Sequence, residues 1–356
     1  MSTTPTPELF RHFPELRQRI PWVPLARSTP VHRLERLESF LHASPIWIKR
    51  DDRTSDVYSG DQARKFEFVF GDVIRRGVKR VLAFGRAGSS HCLAVTAFAH
   101  HFRLRAVLAM RRPHRGPDVQ RILEIEHALG AEMHALGGGP RASWRLLCSI
   151  LATRGGRMRL PYILWPRRVA VLGALGYVNA AYELKRQIAV GILPEPERIY
   201  VPVGSGATLA GLVVGCRLAG MRSRVVGVLG AHGSRRAGRV TTRLMSHLQQ
   251  RSNRLRSAIH HEPEFFLNDR YAGGPSVATS TAQHCIGLLR DLENLDLDPA
   301  YGARAMAALV DDLRANPTRG PVLFWHAHST TVLSHPGRGS VRLPRELREY
   351  FVARSS

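Results

Sequence analysis

Two short segments of this sequence combine glycine with hydroxyl side chains in a way that suits anion binding. One reads Gly204-Ser205-Gly206-Ala207-Thr208 and stands between a β-rich run and an apolar run of helical character. Glycines let backbone N–H groups converge on one point, and a helix N-terminus adds its dipole, so the segment predicts a phosphate cradle. A tight strand-to-helix turn that uses glycine for packing alone is the alternative. A P-loop is excluded because no Gly-Lys-Ser/Thr follows.

The other segment covers residues 84–91 and reads Phe-Gly-Arg-Ala-Gly-Ser-Ser-His. It also follows a β-rich run and precedes a helical one. Its N–H groups and hydroxyls could hold a carboxylate, and Ser89 with His91 could move protons. Ser89 as a simple N-cap of the next helix is the alternative. Taken alone, this segment does not decide between the two.

The charge balance is strongly basic, with 52 Lys and Arg against 28 Asp and Glu and a net charge of +24. Residues 198–261 contain no acidic side chain, which creates a local positive field that attracts anions. This stretch lacks interleaved aromatic residues, so a nucleic-acid partner is not expected. We expect instead a solvated basic face or a small anionic ligand. Only four of the basic residues are lysines, namely Lys49, Lys65, Lys79 and Lys185.

Metal sites, disulfides and membrane spans are not expected. The four cysteines form no CxxC pair and are predicted to be core residues (Cys92, Cys148, Cys216, Cys285). His326 and His328 have HxH spacing, but the local string offers no carboxylate to complete a metal site. No apolar run reaches the roughly 18 residues that a membrane-spanning helix needs. The first residues do not read as a secretory signal, so a cytoplasmic location is expected.

The elements that must position these residues alternate between strands and helices along the chain. Strands are predicted at residues 46–49, 80–84, 105–110, 199–203, 225–229 and 322–326. Helices are predicted at residues 62–76, 91–101, 119–129, 170–189, 208–218 and 301–315. This alternation predicts an α/β protein with largely parallel sheets flanked by helices. Residues 230–239 are predicted to form a mobile loop.

Seven motifs, in this order and at this spacing, resemble one enzyme family: residues 29–31, 48–52, 60–67, 85–91, 204–208, 297–301 and 322–326. The chain resembles the D-cysteine desulfhydrase and 1-aminocyclopropane-1-carboxylate deaminase family, which depends on pyridoxal phosphate. The resemblance implies the two-domain α/β fold of the tryptophan-synthase-β type, also called fold type II. It implies a large domain of residues 1–75 and 175–356, a small domain of residues 76–174, and a cofactor cleft between them.

The resemblance also assigns site residues one by one. The family motif Gly-Asn-Lys-x-Arg-Lys-Leu-Glu corresponds here to Gly-Asp-Gln-Ala-Arg-Lys-Phe-Glu at residues 60–67. The first lysine, which forms the Schiff base with the cofactor, is therefore Gln62, and Lys65 matches the second lysine, a phosphate contact. Ser89 and Tyr301 match catalytic residues of the family. The cofactor-binding residues implied are Lys65, Ser90, Gly204, Ser205, Gly206, Ala207 and Thr208.

Several matched positions depart from the family. A carboxamide nitrogen is not a nucleophilic amine, so Gln62 can neither form a Schiff base nor act as the general base that a lysine becomes. Gly302 stands where Glu or Thr would be expected. The strand end that usually reads His-Thr-Gly-Gly is His-Ala-His-Ser at residues 326–329.

Two hypotheses about function follow. The first is a catalytically impaired or non-catalytic member that binds a phosphate-bearing or amino-acid ligand, with any pyridoxal phosphate held non-covalently. The alternative is an active lyase or deaminase of small amino acids that uses Lys65 or a substrate amine in place of the missing lysine, with Ser89 and Tyr301 handling protons. The resemblance also implies a homodimer.

Overall fold

The computed structural model describes residues 6–112, 119–136, 160–230, 237–259, 264–272, 280–318 and 320–333, residue 347 and several positions between 139 and 150. The chain divides into two compact units. The first contains Met1–Gly71 and Arg167–Thr330, and the second contains Asp72–Pro166 and Thr331–Ser356. The domain boundaries predicted from the sequence, 75/76 and 174/175, lie four and eight residues further along the chain. The first division lies inside a helix, which a change in sequence periodicity cannot mark.

The described strands are β1 Val31–Arg33, β2 Ile46–Arg50, β3 Arg80–Arg86, β4 Arg105–Arg111, β5 Glu132–Ala135, β6 Tyr162–Ile163, β7 Arg198–Val203, β8 Arg224–Leu229, β9 Phe266–Asn268 and β10 Val322–His326. The described helices are α1 Glu8–His12, α2 Leu16–Arg19, α3 Glu35–Leu41, α4 Asp61–Arg75, α5 Ser90–His101, α6 Val119–Ala128, α7 Pro166–Ala189, α8 Ala207–Leu218, α9 Ala237–Gln249, α10 Asn253–Ala258, α11 Ser280–Glu293 and α12 Gly302–Ala315, with a 3₁₀ turn at Asp51–Arg53. All six predicted strands and all six predicted helices are present. Each bound lies within a few residues of its predicted position.

The first unit is built on a six-stranded sheet of order β1-β2-β10-β7-β8-β9. β1 pairs with β2 antiparallel, and every other neighbouring pair is parallel. β10 lies between β2 and β7 and is buried along its whole length. The central strands therefore read as continuous apolar runs, as expected for strands covered on both faces. The parallel arrangement brings the carboxyl ends of five strands to one edge of the sheet.

Each face of this sheet has its own core. One core contains Phe324 of β10 together with residues of α3, α11 and α12. The opposite core contains Leu323 and Trp325, the neighbours of Phe324 along the strand, with residues of α7 and α8. Successive strand residues point to opposite faces, so this separation follows directly from the pleat.

Glycines bring α4, α7 and α8 into close contact. A Cβ on Gly176 of α7 would lie 2.0 Å from the carbonyl oxygen of Arg64 in α4, and one on Gly173 would lie 3.0 Å from the Cβ of Lys65. On the other side of α7, a Cβ on Gly211 of α8 would lie 2.3 Å from the carbonyl oxygen of Ala174. These contacts admit no side chain, so the glycines fix how closely the two helices that carry candidate site residues approach α7.

The second unit contains a four-stranded sheet of order β5-β4-β3-β6, in which all neighbouring strands are parallel. Leu82, Val107, Ala109 and Ile150 form its described core cluster. β5 and β6 have only four and two residues, so their patterns were too short to predict them from the sequence. No described helix is long and apolar enough to span a bilayer.

One prediction about the cysteines is wrong. Cys92, Cys216 and Cys285 are buried and free, but Cys148 is exposed. Its described neighbours Trp144 and Arg145 are exposed as well, so this stretch turns an outer face to solvent.

Candidate functional site

The predicted phosphate cradle lies at the carboxyl end of β7. The strand ends at Val203 and α8 begins at Ala207, with Gly206 as its N-cap in the left-handed region at φ 89°. A Cβ on Gly206 would lie 2.8 Å from the Cα of Ala237. Both this close contact and the left-handed backbone conformation therefore require a glycine. No described side chain caps α8. The first N–H groups of this 12-residue helix have no intrahelical acceptor, so they are available to an anion.

Tyr301 covers this edge of the sheet. Its ring lies against Gly204 after β7 and Gly230 after β8; a Cβ on these glycines would stand 3.5 Å and 2.1 Å from the ring. The ring is therefore beside the cradle, and the catalytic role of Tyr301 stays a prediction. Burial and the negative charges of Asp61 and Asp298 raise the pKa of the Tyr301 hydroxyl to about 12. It is a neutral hydroxyl group at physiological pH.

Asp298 holds Tyr301 in place by capping α12. Its carboxylate accepts hydrogen bonds from the backbone N–H groups of Ala300 at 3.1 Å, Tyr301 at 2.7 Å and Gly302 at 2.8 Å. A Cβ on Gly302 would lie 2.9 Å from Asp298 Oδ2. The departure from the family at Gly302 therefore has a structural explanation, since a side chain there would crowd the capping carboxylate.

The first turn of α4 presents Asp61, Gln62 and Lys65. The carboxylate of Asp61 accepts a hydrogen bond from Gln62 Nε2 at 2.9 Å and forms an ion pair with Lys65 Nζ. The backbone N–H of Asp61 donates to the carbonyl of Ala327 at 2.8 Å, which holds the start of α4 at the carboxyl end of β10. Gly60, at φ 81°, packs so tightly on this strand end that a Cβ would lie 2.8 Å from Ala327 O.

A fully buried charge network anchors the other face of α4. Arg64 donates to both oxygens of Asp51 at 2.8 Å and to Glu183 Oε2 at 2.9 Å. Lys49 Nζ donates to Glu183 Oε1 at 2.5 Å, and Trp325 Nε1 donates to Asp51 Oδ2 at 2.7 Å. Buried charges persist only when they are paired, and these pairs join β2, α4, α7 and β10.

The pKa shifts in this network follow from its pairing. Burial alone would raise the pKa of Glu183, but the positive charges of Arg64 and Lys49 lower it well below its ordinary value. Burial lowers the pKa of Lys49, and Glu183 partly offsets this effect. The amino group of Lys49 is entirely enclosed, with no exposed surface.

The end of β10 carries a buried nitrogen that no described residue contacts by a hydrogen bond. His326 is 1% exposed, and its Nδ1 has no hydrogen-bond partner among the described residues. Burial lowers the pKa of its imidazole, which keeps the ring neutral. His328 lies beyond the strand and is exposed, with its Nδ1 3.7 Å from Asp298 Oδ2. The described residues include no group of three potential metal ligands.

Ser89 and Ser90 belong to the second unit. Ser89 is the N-cap of α5, and its Oγ accepts the backbone N–H of Cys92 at 3.2 Å. Gly85 is needed for packing, because a Cβ there would lie 2.2 Å from Cys92 Sγ. This turn therefore has the simple N-cap geometry, and the catalytic role of Ser89 and the cofactor role of Ser90 stay predictions.

Within the first unit, the structure brings together the cradle, Tyr301, Gln62 and Lys65 at the carboxyl edge of one sheet. The role of Asp61 was not predicted, although its position in the motif, where the family has Asn, was a readable signal. The capping role of Asp298 was not predicted either, because it depends on the turn of the chain before α12. Residues 231–236, the middle of the predicted mobile loop, lie outside the described residues.

Comparison with known proteins matches residues 24–327 to the family described as pyridoxal-phosphate dependent enzyme. The chain belongs to this family. D-cysteine desulfhydrases of Salmonella paratyphi C (strain RKS4594) and Salmonella choleraesuis (strain SC-B67) are each 30% identical over 318 residues, which cover 86% of this chain and 92% of theirs. These matches support the group predicted from the motifs.

Solved structures agree with this assignment. The crystal structure of an ACC deaminase homologue is 27% identical and superposes with a TM-score of 0.72, covering 92% of this chain and 96% of the other. Threonine deaminase isoform 2 of Solanum lycopersicum is 17% identical with a TM-score of 0.60, covering 92% and 91%, and shares the fold. The predicted fold class, fold type II with parallel-rich sheets flanked by helices, is confirmed.

The family cofactor is pyridoxal phosphate, and the residues of the first unit fit one part of it. The start of α8, which no described side chain caps, and its left-handed Gly206 suit the phosphate. The aldehyde has no matching amine at position 62, which is Gln. The structure therefore fits the phosphate group and does not fit covalent attachment at position 62. The homodimer and the cytoplasmic location stay predictions.

Proposed function

We propose that this chain is a non-catalytic member of the pyridoxal-phosphate dependent enzyme family that binds a phosphate-bearing ligand without a covalent bond. The observation that carries the proposal is the composition of the α4 turn, where Gln62 stands at the position of the Schiff-base lysine. A carboxamide nitrogen does not add to an aldehyde under physiological conditions, because its lone pair is delocalised into the carbonyl group. The glycines and hydroxyl residues of the predicted cradle are nevertheless present, and no described side chain caps α8.

The remaining lysines support the same conclusion. Lys49 is enclosed in the buried network, and Lys65 is paired with Asp61. Lys185 lies on α7, and its Nζ is 3.6 Å from Glu195 Oε2. Lys79 directly precedes β3 in the second unit. Of the four lysines, Lys65 alone lies in the same helical turn as Gln62, and its ion pair holds its Nζ atom at the carboxylate of Asp61.

The phosphate would be held mainly by backbone groups. The N–H groups at the start of α8 and the helix dipole attract an anion, and the strongly basic chain adds a favourable long-range field. Ser205, which is exposed in the cradle, lies where its hydroxyl could donate to a phosphate oxygen. Lys65, by resemblance, would supply one further positive charge.

The experiment measures both binding and attachment. Purified protein is mixed with pyridoxal 5′-phosphate, its absorption spectrum is recorded, and the mixture is reduced with borohydride and mapped by mass spectrometry. We expect reversible binding without a site-specific lysine adduct, and we expect Gln62→Lys to gain both the visible band and a stoichiometric adduct at position 62. A stoichiometric adduct at Lys65 in the natural sequence would overturn the proposal and favour the active lyase.

A matched pair of variants tests the cradle. Ser205→Asp places a negative charge at the start of α8, which the helix dipole tolerates but which repels a phosphate. Ser257→Asp adds the same charge at an exposed position of α10. We expect affinity to fall about tenfold or more for Ser205→Asp, because two like charges then share one site. Equal affinities for the two variants would show that the phosphate binds elsewhere.

A further inference from the structure

The start of α4 offers no nucleophilic amine to an aldehyde at position 62. The groups that lie there belong to Asp61, Gln62 and Lys65. Three hydrogen-bonding groups lie within one turn of α4, and the carboxylate of Asp61 is at their centre. The family motif places an amide at the first of these positions and an amine at the second. Here the first is a carboxylate and the second is an amide. The protein therefore offers hydrogen-bond acceptors where family members offer a nucleophilic amine.

The backbone places Asp61 near the cradle. Its N–H is bound to Ala327, one residue beyond β10, and the cradle begins one residue beyond β7. β10 and β7 are neighbours in the sheet, and both run in the same direction. Tyr301 lies between the cradle and Asp61. Its ring contacts Gly204, and the negative charge of Asp61 contributes to the raised pKa of its hydroxyl.

The carboxylate of Asp61 can accept more than it now does. One oxygen accepts from Gln62 and the other pairs with Lys65, whereas an ionised carboxylate offers about four acceptor positions. Asp61 is also partly exposed, with 26% of its side-chain surface accessible, so a ligand can reach it. An additional ammonium donor would share this carboxylate with Gln62 and Lys65, and its charge would add to that of Lys65.

We infer that this site selects a phosphate ester that carries its own primary ammonium group, with the phosphate in the cradle and the ammonium on Asp61. The inference rests on the proposed function and names the ligand class of the same site. The nearest ligand of this class is pyridoxamine 5′-phosphate, the aminomethyl form of the family cofactor. Such a ligand needs no lysine, because its nitrogen is already present and is held by charge alone.

Charge complementarity favours this ligand over its neutral relatives. An ammonium donating to a carboxylate forms a charge-assisted hydrogen bond, which is stronger than a bond between neutral groups. The alcohol form, pyridoxine 5′-phosphate, has the same ring and the same phosphate but lacks the charge. The two ligands therefore differ only in the group that is expected to contact Asp61.

The experiment is equilibrium dialysis of the full chain with pyridoxamine 5′-phosphate and pyridoxine 5′-phosphate. Three proteins are compared: the natural sequence, Asp61→Asn and Asp56→Asn. Asp56 is exposed and paired with Arg27, so its variant removes the same charge from the surface. A thermal unfolding curve of each protein checks that it is folded. Asp61→Asn restores the family residue, so we expect it to fold.

We expect the amine to bind about tenfold more tightly than the alcohol in the natural sequence and in Asp56→Asn. The preference should disappear in Asp61→Asn. Equal binding of the two ligands to the natural sequence would overturn the inference and leave the proposed function intact. An amine preference that survives in Asp61→Asn would also overturn it. If neither ligand binds to the natural sequence, the proposed function itself is contradicted.

Discussion

Two turns of this protein share one sequence pattern and have different geometry. Both follow a parallel strand, contain two glycines and a serine, and lead into a helix of 12 residues. In the second unit, the N-cap of α5 is Ser89, whose hydroxyl accepts a backbone N–H of the first turn. In the first unit, the N-cap of α8 is Gly206, and no described side chain takes that place. A serine at the cap stabilises the helix, whereas a glycine at the cap leaves the N–H groups to a ligand.

The two units also shift the pKa of a buried glutamate in opposite directions. Glu183 in the first unit is buried among Arg64 and Lys49, and its pKa is lowered because the neighbouring cations outweigh desolvation. Glu126 on α6 of the second unit is fully buried, and neither of its oxygens has a hydrogen-bond partner among the described residues. Burial raises its pKa well above the ordinary value, so it is held as a neutral acid. The same residue type is therefore charged in one unit and neutral in the other.

The largest expected effect comes from breaking the charged network. Glu183→Gln leaves Arg64 and Lys49 buried with one carboxylate fewer, so the free energy of unfolding should fall by about 3–5 kcal/mol. Glu195→Gln is the control, since its pair with Lys185 is partly exposed and contributes about 0–1 kcal/mol. Urea denaturation of both variants measures the difference.

The pH dependence gives a second readout of this prediction. The folded-state pKa of Glu183 is below its unfolded value, so its stabilising contribution is present above the unfolded pKa and is lost as pH falls through the folded one. Glu183→Gln should therefore remove part of the acid sensitivity of the natural protein. Equal losses in the two variants at neutral pH would contradict the assigned role of the network.

The second effect has the opposite sign. Glu126→Leu replaces a buried acid that has no partner among the described residues with an apolar side chain of similar size, and we expect a gain of about 1–3 kcal/mol at neutral pH. The folded-state pKa of Glu126 is raised, so the natural protein should lose stability as pH rises above the ordinary carboxyl range, where only the unfolded chain releases the proton. Denaturation between pH 4 and pH 8 tests both points. A variant with an unchanged pH slope would show that Glu126 has a partner.

The smallest effect concerns the capped turn. Ser89→Ala removes the hydrogen bond to the Cys92 N–H, so stability should fall by about 1 kcal/mol. Ser90→Ala is the matched control, because Ser90 is exposed and follows the cap. Comparing the two unfolding midpoints isolates the cap. Similar midpoints for both variants would mean that the hydroxyl of Ser89 serves another purpose than capping.

Much of the fold could be predicted because its signals are local. The long central strands are apolar throughout and the helices between them are long, so their order alone indicated parallel sheets. Short elements such as β1 and β9 escaped prediction, since three residues carry no usable period. The exposure of Cys148 could not be predicted either. Cysteine is often buried, but its burial at a given position depends on which residues the fold packs against it.

The family, the fold class and the absence of a lysine at position 62 could be read from the sequence, because each depends only on which residues occur and in what order. The tertiary structure was needed to show that the ring of Tyr301 lies against Gly204 and Gly230, and that Arg64 pairs with Glu183. These contacts join residues that are far apart in the sequence, so no local pattern specifies them.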